Sequence, residues 1–307
     1  MNRILFKVTV PRPNAGTLNR QYRCCRAWKI LFPVLMMSVC AAGQSRMDTF
    51  SFRSGFLNRM VLIRVLVPVP LIHKGRYPLL VLNDGQDLRS LRFRIILDSL
   101  VDGKAIPPIL VVAVDAGNRL QEYGVCGHPD YMERGARACQ YSQFIRKELL
   151  PTVLRRYWVL FSTSFIAGWS LGGLSAMDIA WEHPMLFEGA GVFSGSLWWR
   201  SVALGPHYND SDRIMEALVN HSRMNRGQRF WFEAGTADET SDRNHNGIID
   251  AIEDTRDLIS ALKSKGYPTR ALKYVEVPGG KHNQQTWSLV MPQFLNWAFG
   301  NIKWAGH

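Results

Sequence analysis

The 307-residue sequence has few cysteines, no apolar run long enough to span a membrane, and little net charge outside its first 43 residues. Lys and Arg outnumber Asp and Glu by 37 to 25, which would suggest a nucleic-acid partner. However, residues 1–43 hold seven of the basic side chains and no acidic one, so the rest carries 30 basic against 25 acidic side chains. This small excess indicates no nucleic-acid partner.

The first 43 residues have the order of a secretory leader. Basic residues precede the apolar run ILFPVLMMSV, and the small residues CAAG follow it. Because this run is too short for a stable bilayer-spanning helix, we expect cleavage near Ala42 or Gly43 and no membrane span after that. The protein should then be periplasmic or extracellular. Lipid attachment at Cys40 is an alternative, although Val39 fits poorly before such a site.

Beyond the leader, which contains Cys24, Cys25 and Cys40, the cysteines that remain are Cys126 and Cys139. In an oxidising compartment two cysteines separated by a short loop could form a disulfide. Their spacing does not establish the geometry that a disulfide needs, so the pairing stays open at this stage.

The chain from about residue 47 to 300 alternates strand-like apolar runs with helical patterns, without internal repeats. Examples are the strand patterns MVLIRVLVPVP, YPLLVLND and IPPILVVAVDA, the long helical pattern CQYSQFIRKELLPTVLRRYW, and the closing helix TWSLVMPQFLNWAF. This alternation predicts an α/β fold with a mostly parallel central sheet and helices on both faces. We expect one domain over residues 44–307.

A GxSxG sequence, Gly168 to Gly172, lies between the predicted strand SFIA and the predicted helix GGLSAMDIA. In a nucleophile elbow the serine occupies a strained strand-to-helix turn, and small flanking residues relieve the crowding. An ordinary glycine-rich turn is the competing interpretation. The strand and helix on either side favour Ser170 as a nucleophile.

A serine nucleophile needs a base and an acid that orients the base, and α/β-hydrolases place them in the order Ser, acid, His. Asp238 follows the predicted strand FWFEAG, and His282 follows KYVEV. The other histidines considered, His207, His221 and His245, lie in polar stretches typical of solvated side chains. Glu239 and Asp242 are alternative acids, but Glu239 would point away and Asp242 belongs to a different motif.

The developing oxyanion requires preorganised donors. We expect one to be the backbone N–H of Leu171 and the other to come from Gly85 or Gln86, after the strand LLVLND. A helix N-cap formed by Asp84 or Asp87 is the competing interpretation of this loop, and both can hold together.

Loops at the carboxyl ends of parallel strands line the active crevice, so three further side chains are candidates for substrate binding. Arg119 could meet an anionic or catecholate substrate, or could instead pair with Glu122. Trp198 and Trp199 could form an aromatic wall for a sugar or a phenolic acid, or could pack in the core.

Residues 242–253, DRNHNGIIDAIE, have the spacing of a twelve-residue calcium loop, with Gly247 at the sharp turn. The predicted oxygen ligands are Asp242, Asn244, Asn246, the carbonyl of Ile248, Asp250 and Glu253. A helix follows this loop but none precedes it, so the motif is half of an EF-hand. The competing interpretation is an Asn/Asp-rich surface turn. We expect structural Ca²⁺ and no organic cofactor.

Several of these stretches together resemble a known family. YPLLVLNDGQ, VVAVDAGNRLQEYG, GWSLGG, FSGSLWW and GGKHNQQTW with the final helix are similar to the putative serine esterase family of α/β hydrolases, which includes enterochelin-esterase-like and feruloyl-esterase-like enzymes. The resemblance covers about residues 50 to 300 and implies the α/β-hydrolase fold with Ser170, Asp238 and His282 as the triad. It does not imply a substrate, because such enzymes cleave siderophore lactones, polysaccharide-linked acyl groups and thioesters, and some transfer acyl groups. Many members lack the calcium loop.

The expected function is therefore an exported serine esterase acting through an acyl-enzyme on Ser170, with a small-molecule or polysaccharide-linked ester as substrate. An acyltransferase on the same scaffold is the alternative within enzymes. A calcium-dependent binding module on an inactive hydrolase scaffold is the alternative from another class. The oligomeric state does not follow from the sequence.

Overall fold

The strand-like runs form one eight-stranded sheet. The computed structural model describes residues 45–302, so the predicted leader and its cysteines lie outside the described residues. The strands are β1 (Arg46–Ser54), β2 (Arg59–Val67), β3 (Arg76–Leu82), β4 (Leu110–Val114), β5 (Leu160–Trp169), β6 (Gly189–Phe193), β7 (Arg229–Gly235) and β8 (Leu272–Val277). Their order across the sheet is β1-β2-β4-β3-β5-β6-β7-β8. The pairings of β2 with β1 and β4 are antiparallel and the other five are parallel, which confirms the predicted mostly parallel sheet.

Helices cover both faces of this sheet, as predicted. They are α1 (Phe93–Asp102), α2 (Arg119–Glu122), α3 (Ala138–Phe144), α4 (Leu150–Tyr157), α5 (Leu171–Glu182), α6 (Ile214–His221), α7 (Asp250–Ser264) and α8 (Gln284–Phe299). A single π-helical turn at Ile145–Leu149 joins α3 to α4. The apolar sides of α1 and α8 pack on one face of the sheet, and those of α3 to α7 pack on the other. Within residues 45–302, no helix combines the length and the apolar composition needed to cross a membrane.

Strand β1 and the short helices α2 and α6 were not predicted from the sequence. Strand β1 pairs only with β2 at the edge of the sheet and buries little beyond its last residue, Ser54. Polar residues are mixed with apolar ones along this strand, so its sequence lacks the continuous apolar run that marks the inner strands. Helix α6 has only eight residues, which is too short for a helical period to stand out.

The parallel strands bring distant parts of the chain to one edge of the sheet. Strands β3, β5, β6, β7 and β8 all end there, so the loops after them meet at their carboxyl ends. The segment between β4 and α3 also reaches this edge, and a disulfide between Cys126 and Cys139 closes it. The Cα atoms of the two cysteines are 4.4 Å apart, which settles the pairing that the spacing left open.

Candidate active site

Ser170 lies at the turn between β5 and α5 with a left-handed backbone, φ 56° and ψ −127°. A non-glycine residue adopts this conformation at an energetic cost, which is typical of a nucleophile elbow. A Cβ atom on Gly168 would lie 2.4 Å from the carbonyl oxygen of Gly172, and a Cβ on Gly172 would lie 2.6 Å from Asp84 Oδ2. The turn therefore has room only for glycine at both flanking positions.

Asn83, at the end of β3, holds this turn from the neighbouring strand. Its side-chain amide donates a 2.7 Å hydrogen bond to the carbonyl of Gly172, and its Oδ1 accepts one of 2.7 Å from the Tyr141 hydroxyl. Asn83 is fully buried, so water does not compete for these bonds. The first turn of α5 is thereby fixed relative to β3.

Asp238 and His282 face each other across the turns that follow β7 and β8. His282 Nδ1 is 3.9 Å from Asp238 Oδ2, and the carboxylate is fully buried whereas the imidazole is 42% exposed. Neither carboxylate oxygen of Asp238 has a hydrogen-bond partner among residues 45–302. The backbone N–H groups of Thr236 and Ala237 donate to the carbonyls of Val277 and Gly280, which ties the two turns together. The structure thus brings the predicted acid beside the predicted base.

Two stacked tryptophans connect this pair to the elbow. The His282 ring packs edge-on against Trp287, with ring centroids 5.3 Å apart, and Trp287 stacks on Trp169 at 5.8 Å. Trp169 directly precedes Ser170. No hydrogen bond joins Ser170 to His282 within residues 45–302, and the serine hydroxyl instead lies 3.4 Å from Ser196 Oγ. The three predicted triad residues lie at one edge of the sheet, but the serine and the histidine are not hydrogen-bonded to each other. In enzymes without bound substrate, catalytic hydrogen bonds are often long or poorly aligned.

The competing candidates are occupied elsewhere or solvated. Glu239 accepts a 2.7 Å hydrogen bond from the N–H of Ala251 in the first turn of α7 and so supports that helix. His207, His221 and His245 are exposed.

The predicted oxyanion donors lie on both sides of the elbow. Leu171 is the first residue of α5, so its backbone N–H has no acceptor within the helix. Gly85 and Gln86 begin a short 3₁₀ turn after β3, and a Cβ on Gly85 would lie 2.8 Å from Asp115 Oδ1. Asp84 occupies the cap position of that turn without making a capping hydrogen bond. Capping by Asp84 is therefore wrong.

Arg119 makes contacts that its predicted roles did not include. Its guanidinium forms two hydrogen bonds to Asp84, of 2.9 and 3.1 Å, and a third to the carbonyl of Trp169 at 3.2 Å. The suggested partner Glu122 instead pairs with Arg59, at 2.8 and 2.7 Å. Burial raises the pKa of Asp84, while the guanidinium acts in the opposite direction. In this structure Arg119 links the Gly85 loop to the strand that carries Ser170.

Comparisons with known proteins identify the family and the fold. The family model described as "Putative esterase" matches residues 54–298, most of the chain. The chain belongs to this esterase family. A curated relative, the uncharacterized protein YbbA of Bacillus subtilis, is 22% identical over 232 residues, which cover 74% of this chain and 87% of YbbA.

Solved structures show the same fold. An enterobactin esterase FES from Shigella flexneri superposes with a TM-score of 0.62 and 22% identity over 83% of this chain, which spans 59% of that larger protein. A ferulic acid esterase gives a TM-score of 0.65 and 18% identity, over 84% of this chain and 98% of that one. An IroE-like serine hydrolase from Shewanella oneidensis gives 0.62 and 18%, over 82% and 79%. The resemblance and the α/β-hydrolase-type fold predicted from the sequence are both confirmed.

Within this esterase-family site the two predicted tryptophans differ. Trp199 is fully buried and Trp198 is partly exposed, with ring centroids 5.8 Å apart. Of the two roles left open for Trp199, the structure shows core packing. Trp198 alone of the pair can meet a substrate.

A buried carboxyl below the site was not predicted. Glu233 lies in the middle of β7 with 1% exposure, and its Oε2 accepts a 3.4 Å hydrogen bond from Ser194, which in turn accepts one from Trp287 at 2.9 Å. Burial, with the nearby charge of Asp238, raises the pKa of Glu233 to about 8. An acidic residue inside the apolar run RFWFEAG was the available signal.

The loop at residues 242–253 brings several of the predicted calcium ligands together. The amide nitrogens of Asn244 and Asn246 lie 2.9 and 2.6 Å from Glu253 Oε1, and Asp242 accepts hydrogen bonds from the N–H groups of Asn246 and Gly247. In this geometry the two amides present nitrogen to Glu253, whereas calcium would require their oxygens. Within residues 45–302 no three His, Cys, Asp or Glu side chains converge as metal ligands.

Asp250 and Ile248 are engaged in other ways. Asp250 Oδ1 accepts from the N–H of Arg243 at 3.0 Å and lies 3.2 Å from its guanidinium. The N–H of Ile248 donates to Asn246 Oδ1 at 2.8 Å, a bond that leaves the Ile248 carbonyl free to act as a ligand. As predicted, strand β7 and a loop precede the motif and helix α7 follows it.

We expect the stability of Glu233→Gln, relative to that of the wild type, to increase as the pH rises from 5 to 8. The unfolded carboxyl ionises near 4.5 and the folded one near 8, so between these values the folded state retains a proton that the unfolded state has lost. Wild-type stability therefore falls with rising pH, by at most about 1.4 kcal/mol per unit from this group.

Denaturant titrations of both proteins at pH 5, 6.5 and 8 measure this difference. Asp178, whose pKa burial also raises to about 8, contributes equally to both and cancels. A constant offset from repacking cancels as well, since the prediction concerns the slope. Parallel stability curves for the two proteins would contradict a protonated Glu233.

Proposed function

We propose that this protein is a serine esterase in which Ser170 is the nucleophile, His282 the general base and Asp238 the residue that orients the base. The observation that carries this proposal is the strained backbone of Ser170, at an elbow whose flanking positions admit only glycine. The Asp238–His282 pair at the same sheet edge supports it. The names of the structural neighbours, which include an enterobactin esterase, a ferulic acid esterase and a siderophore hydrolase, support an ester as substrate.

In the proposed reaction, Ser170 Oγ attacks the ester carbonyl carbon while its proton passes to His282. The N–H of Leu171, with that of Gly85 or Gln86, stabilises the oxyanion. The intermediate collapses, the C–O bond to the alcohol breaks, and the imidazolium returns the proton to the leaving alcohol. Water then attacks the acyl-enzyme with His282 again as base, which releases the acid and restores Ser170.

Hydrolysis is favoured over acyl transfer by the exposure of the base. The His282 side chain is 42% exposed, so water reaches it without displacing protein. An acyltransferase has to exclude water from the acyl-enzyme, and an open imidazole does not favour this.

Ser170→Ala should lower the turnover of p-nitrophenyl acetate by about a thousandfold or more, because the acyl-enzyme can no longer form. The measurement is release of p-nitrophenol by both proteins. Ser162→Ala, an exposed serine in the same strand, is the matched control and should retain activity. Equal rates for wild type and Ser170→Ala would overturn the proposal and favour the inactive binding module.

We also propose that the chain is exported. Its leader order supports this, and so does the Cys126–Cys139 disulfide, since such bonds persist in oxidising compartments. Intact mass spectrometry of protein expressed with its leader should show a start near Ala42 or Gly43 and an oxidised cysteine pair. A full-length chain with both thiols reduced would contradict export, and an added lipid mass would indicate attachment at Cys40.

A third proposal is that Ca²⁺ binds the 242–253 loop and holds the acid-bearing turn in place. Asp242 begins the loop only four residues after Asp238, and Glu253 lies in α7. Oxygens from Asp242, Asn244, Asn246 and Glu253 would suit a hard cation, with the Ile248 carbonyl and Asp250 as the remaining expected ligands. The metal would support the structure and take no part in bond breaking.

Removal of calcium should lower both the melting temperature and the esterase turnover, and added Ca²⁺ should restore both. Glu253→Gln should weaken this response, because position 12 supplies two of the oxygens. Glu188→Gln, an exposed glutamate before β6, is the control. Unchanged melting and turnover in chelator, with metal removal verified by elemental analysis, would reject the proposal.

A further inference from the structure

A cavity of about 290 Å³ opens between the loop after β6 and the loop after β7. Both loops leave the sheet at the edge that carries the candidate triad. Trp198 follows Ser196, whose hydroxyl is 3.4 Å from Ser170 Oγ, and Glu239 follows Asp238 directly. The lining residues include Trp198, Arg200, Leu204, Glu239, Ser241 and Arg243.

Arg200 lines this cavity and, among the described residues, has no carboxylate partner. No carboxylate within residues 45–302 lies within 4.0 Å of its guanidinium, whose hydrogen bond within this part of the chain goes to the carbonyl of Trp198, at 3.2 Å. Its Nε is buried and has no acceptor among the same residues. A buried donor without an acceptor is costly. Because the guanidinium also lacks a carboxylate partner, an anion in the cavity would be the first to pair with its charge.

Aromatic rings hold the Arg200 guanidinium in place. It lies 5.2 Å from the ring centre of Tyr131, 5.9 Å from Trp198 and 6.0 Å from Tyr208. Rings on several sides restrict the rotamers of the arginine, which reduces the entropy lost when it binds a partner. A positioned guanidinium is suited to bind a carboxylate through two parallel hydrogen bonds.

Arg134 provides an internal comparison. Its guanidinium packs on two of the same rings, Tyr131 and Trp198, at 6.0 and 5.4 Å. Asp130, fully buried, neutralises it through a direct ion pair. The protein therefore supplies a carboxylate for one of two adjacent stacked arginines and leaves the other, which faces the cavity, without one.

The acidic residues around the cavity already have donors. Glu239 accepts from the N–H of Ala251 at 2.7 Å, Asp242 from that of Gly247 at 2.8 Å, and Asp250 from that of Arg243 at 3.0 Å. The Arg243 side chain in turn contacts Asp250 and further carboxylates, so its charge is balanced. Among the described residues, Arg200 is thus a lining cation with no carboxylate partner of its own.

We infer that this cavity is a substrate subsite and that Arg200 selects esters carrying a carboxylate, with Trp198 packing against the same substrate group. This inference rests on the proposed esterase function and specifies its substrate class. The carboxylate can belong to the acyl half or to the alcohol half of the ester. Arg200 is a specificity-determining residue here and takes no part in the bond-breaking steps.

The test compares each charged ester with its neutral methyl ester. The acyl side is probed with mono-p-nitrophenyl adipate and its methyl ester, and the alcohol side with 4-acetoxybenzoate and its methyl ester. The readout is the ratio of kcat/KM for the charged ester to that for the neutral one. In the wild type this ratio should exceed one for one of the two pairs, which identifies the side that binds Arg200.

Arg200→Gln should lower that ratio about tenfold or more, because a hydrogen-bonded charge pair to the substrate is lost. Arg200→Lys should recover part of it, since the charge remains without the planar fork. Arg226→Gln, an exposed arginine before β7 at the opposite sheet edge, should leave the ratio unchanged. A wild-type ratio of one or below for both pairs, or an equal loss on both esters of a pair in Arg200→Gln, would overturn the inference.

Binding measurements separate this inference from the proposed chemistry. Calorimetric titration of Ser170→Ala with adipate monomethyl ester and with benzoate should detect binding of one of them, and the additional change Arg200→Gln should weaken it about tenfold. Binding that depends on Arg200 in a protein whose wild type hydrolyses no ester would retain the subsite and reject the esterase. Hydrolysis of neutral esters without Arg200-dependent binding would do the reverse.

Discussion

The ion pair between Asp84 and Arg119 holds together three segments that are distant in the chain. Asp84 lies just after β3, Arg119 begins α2, and the same guanidinium reaches the carbonyl of Trp169 before Ser170. The net stabilisation by such a pair is small, because desolvation offsets much of the attraction. Its effect is on position. It ties Asp84, which precedes the Gly85 turn, to Trp169, which precedes Ser170, so these two segments are held next to each other.

Much of this arrangement could be predicted because it is encoded locally. The inner strands are continuous apolar runs, and the GxSxG stretch lies between a strand and a helix, so β5, α5 and the place of Ser170 follow from adjacent residues. Asp238 and His282 could be selected as candidates because each lies shortly after a predicted strand. Strand β1 was missed because an edge strand buries little, and its pairing with the predicted strand β2 becomes evident only in the assembled sheet.

The parts that could not be predicted depend on contacts between residues far apart in sequence. Arg119 has an acidic residue three positions away, Glu122, yet its partner is Asp84, on another strand. The sequence does not show which arginine lacks a carboxylate partner. In the structure Asp130 forms an ion pair with Arg134, and the neighbouring Arg200 has no such partner among the described residues. Glu233 left a signal in the sequence, but its protonation depends on burial and on the nearby Asp238. Burial comes first among the causes and the charge of Asp238 second, and together they raise the pKa of Glu233 to about 8.

The separation of Ser170 and Arg200 onto different loops has an evolutionary consequence. The elbow is surrounded by close backbone contacts and tolerates little change, whereas Trp198, Arg200 and Glu239, in the loops after β6 and β7, line the cavity. Under the proposed function, substitutions in these loops would change which esters bind while the backbone around the proposed nucleophile stays the same. Related proteins with this fold could therefore differ in substrate range through a few loop positions and keep the same proposed catalytic residues.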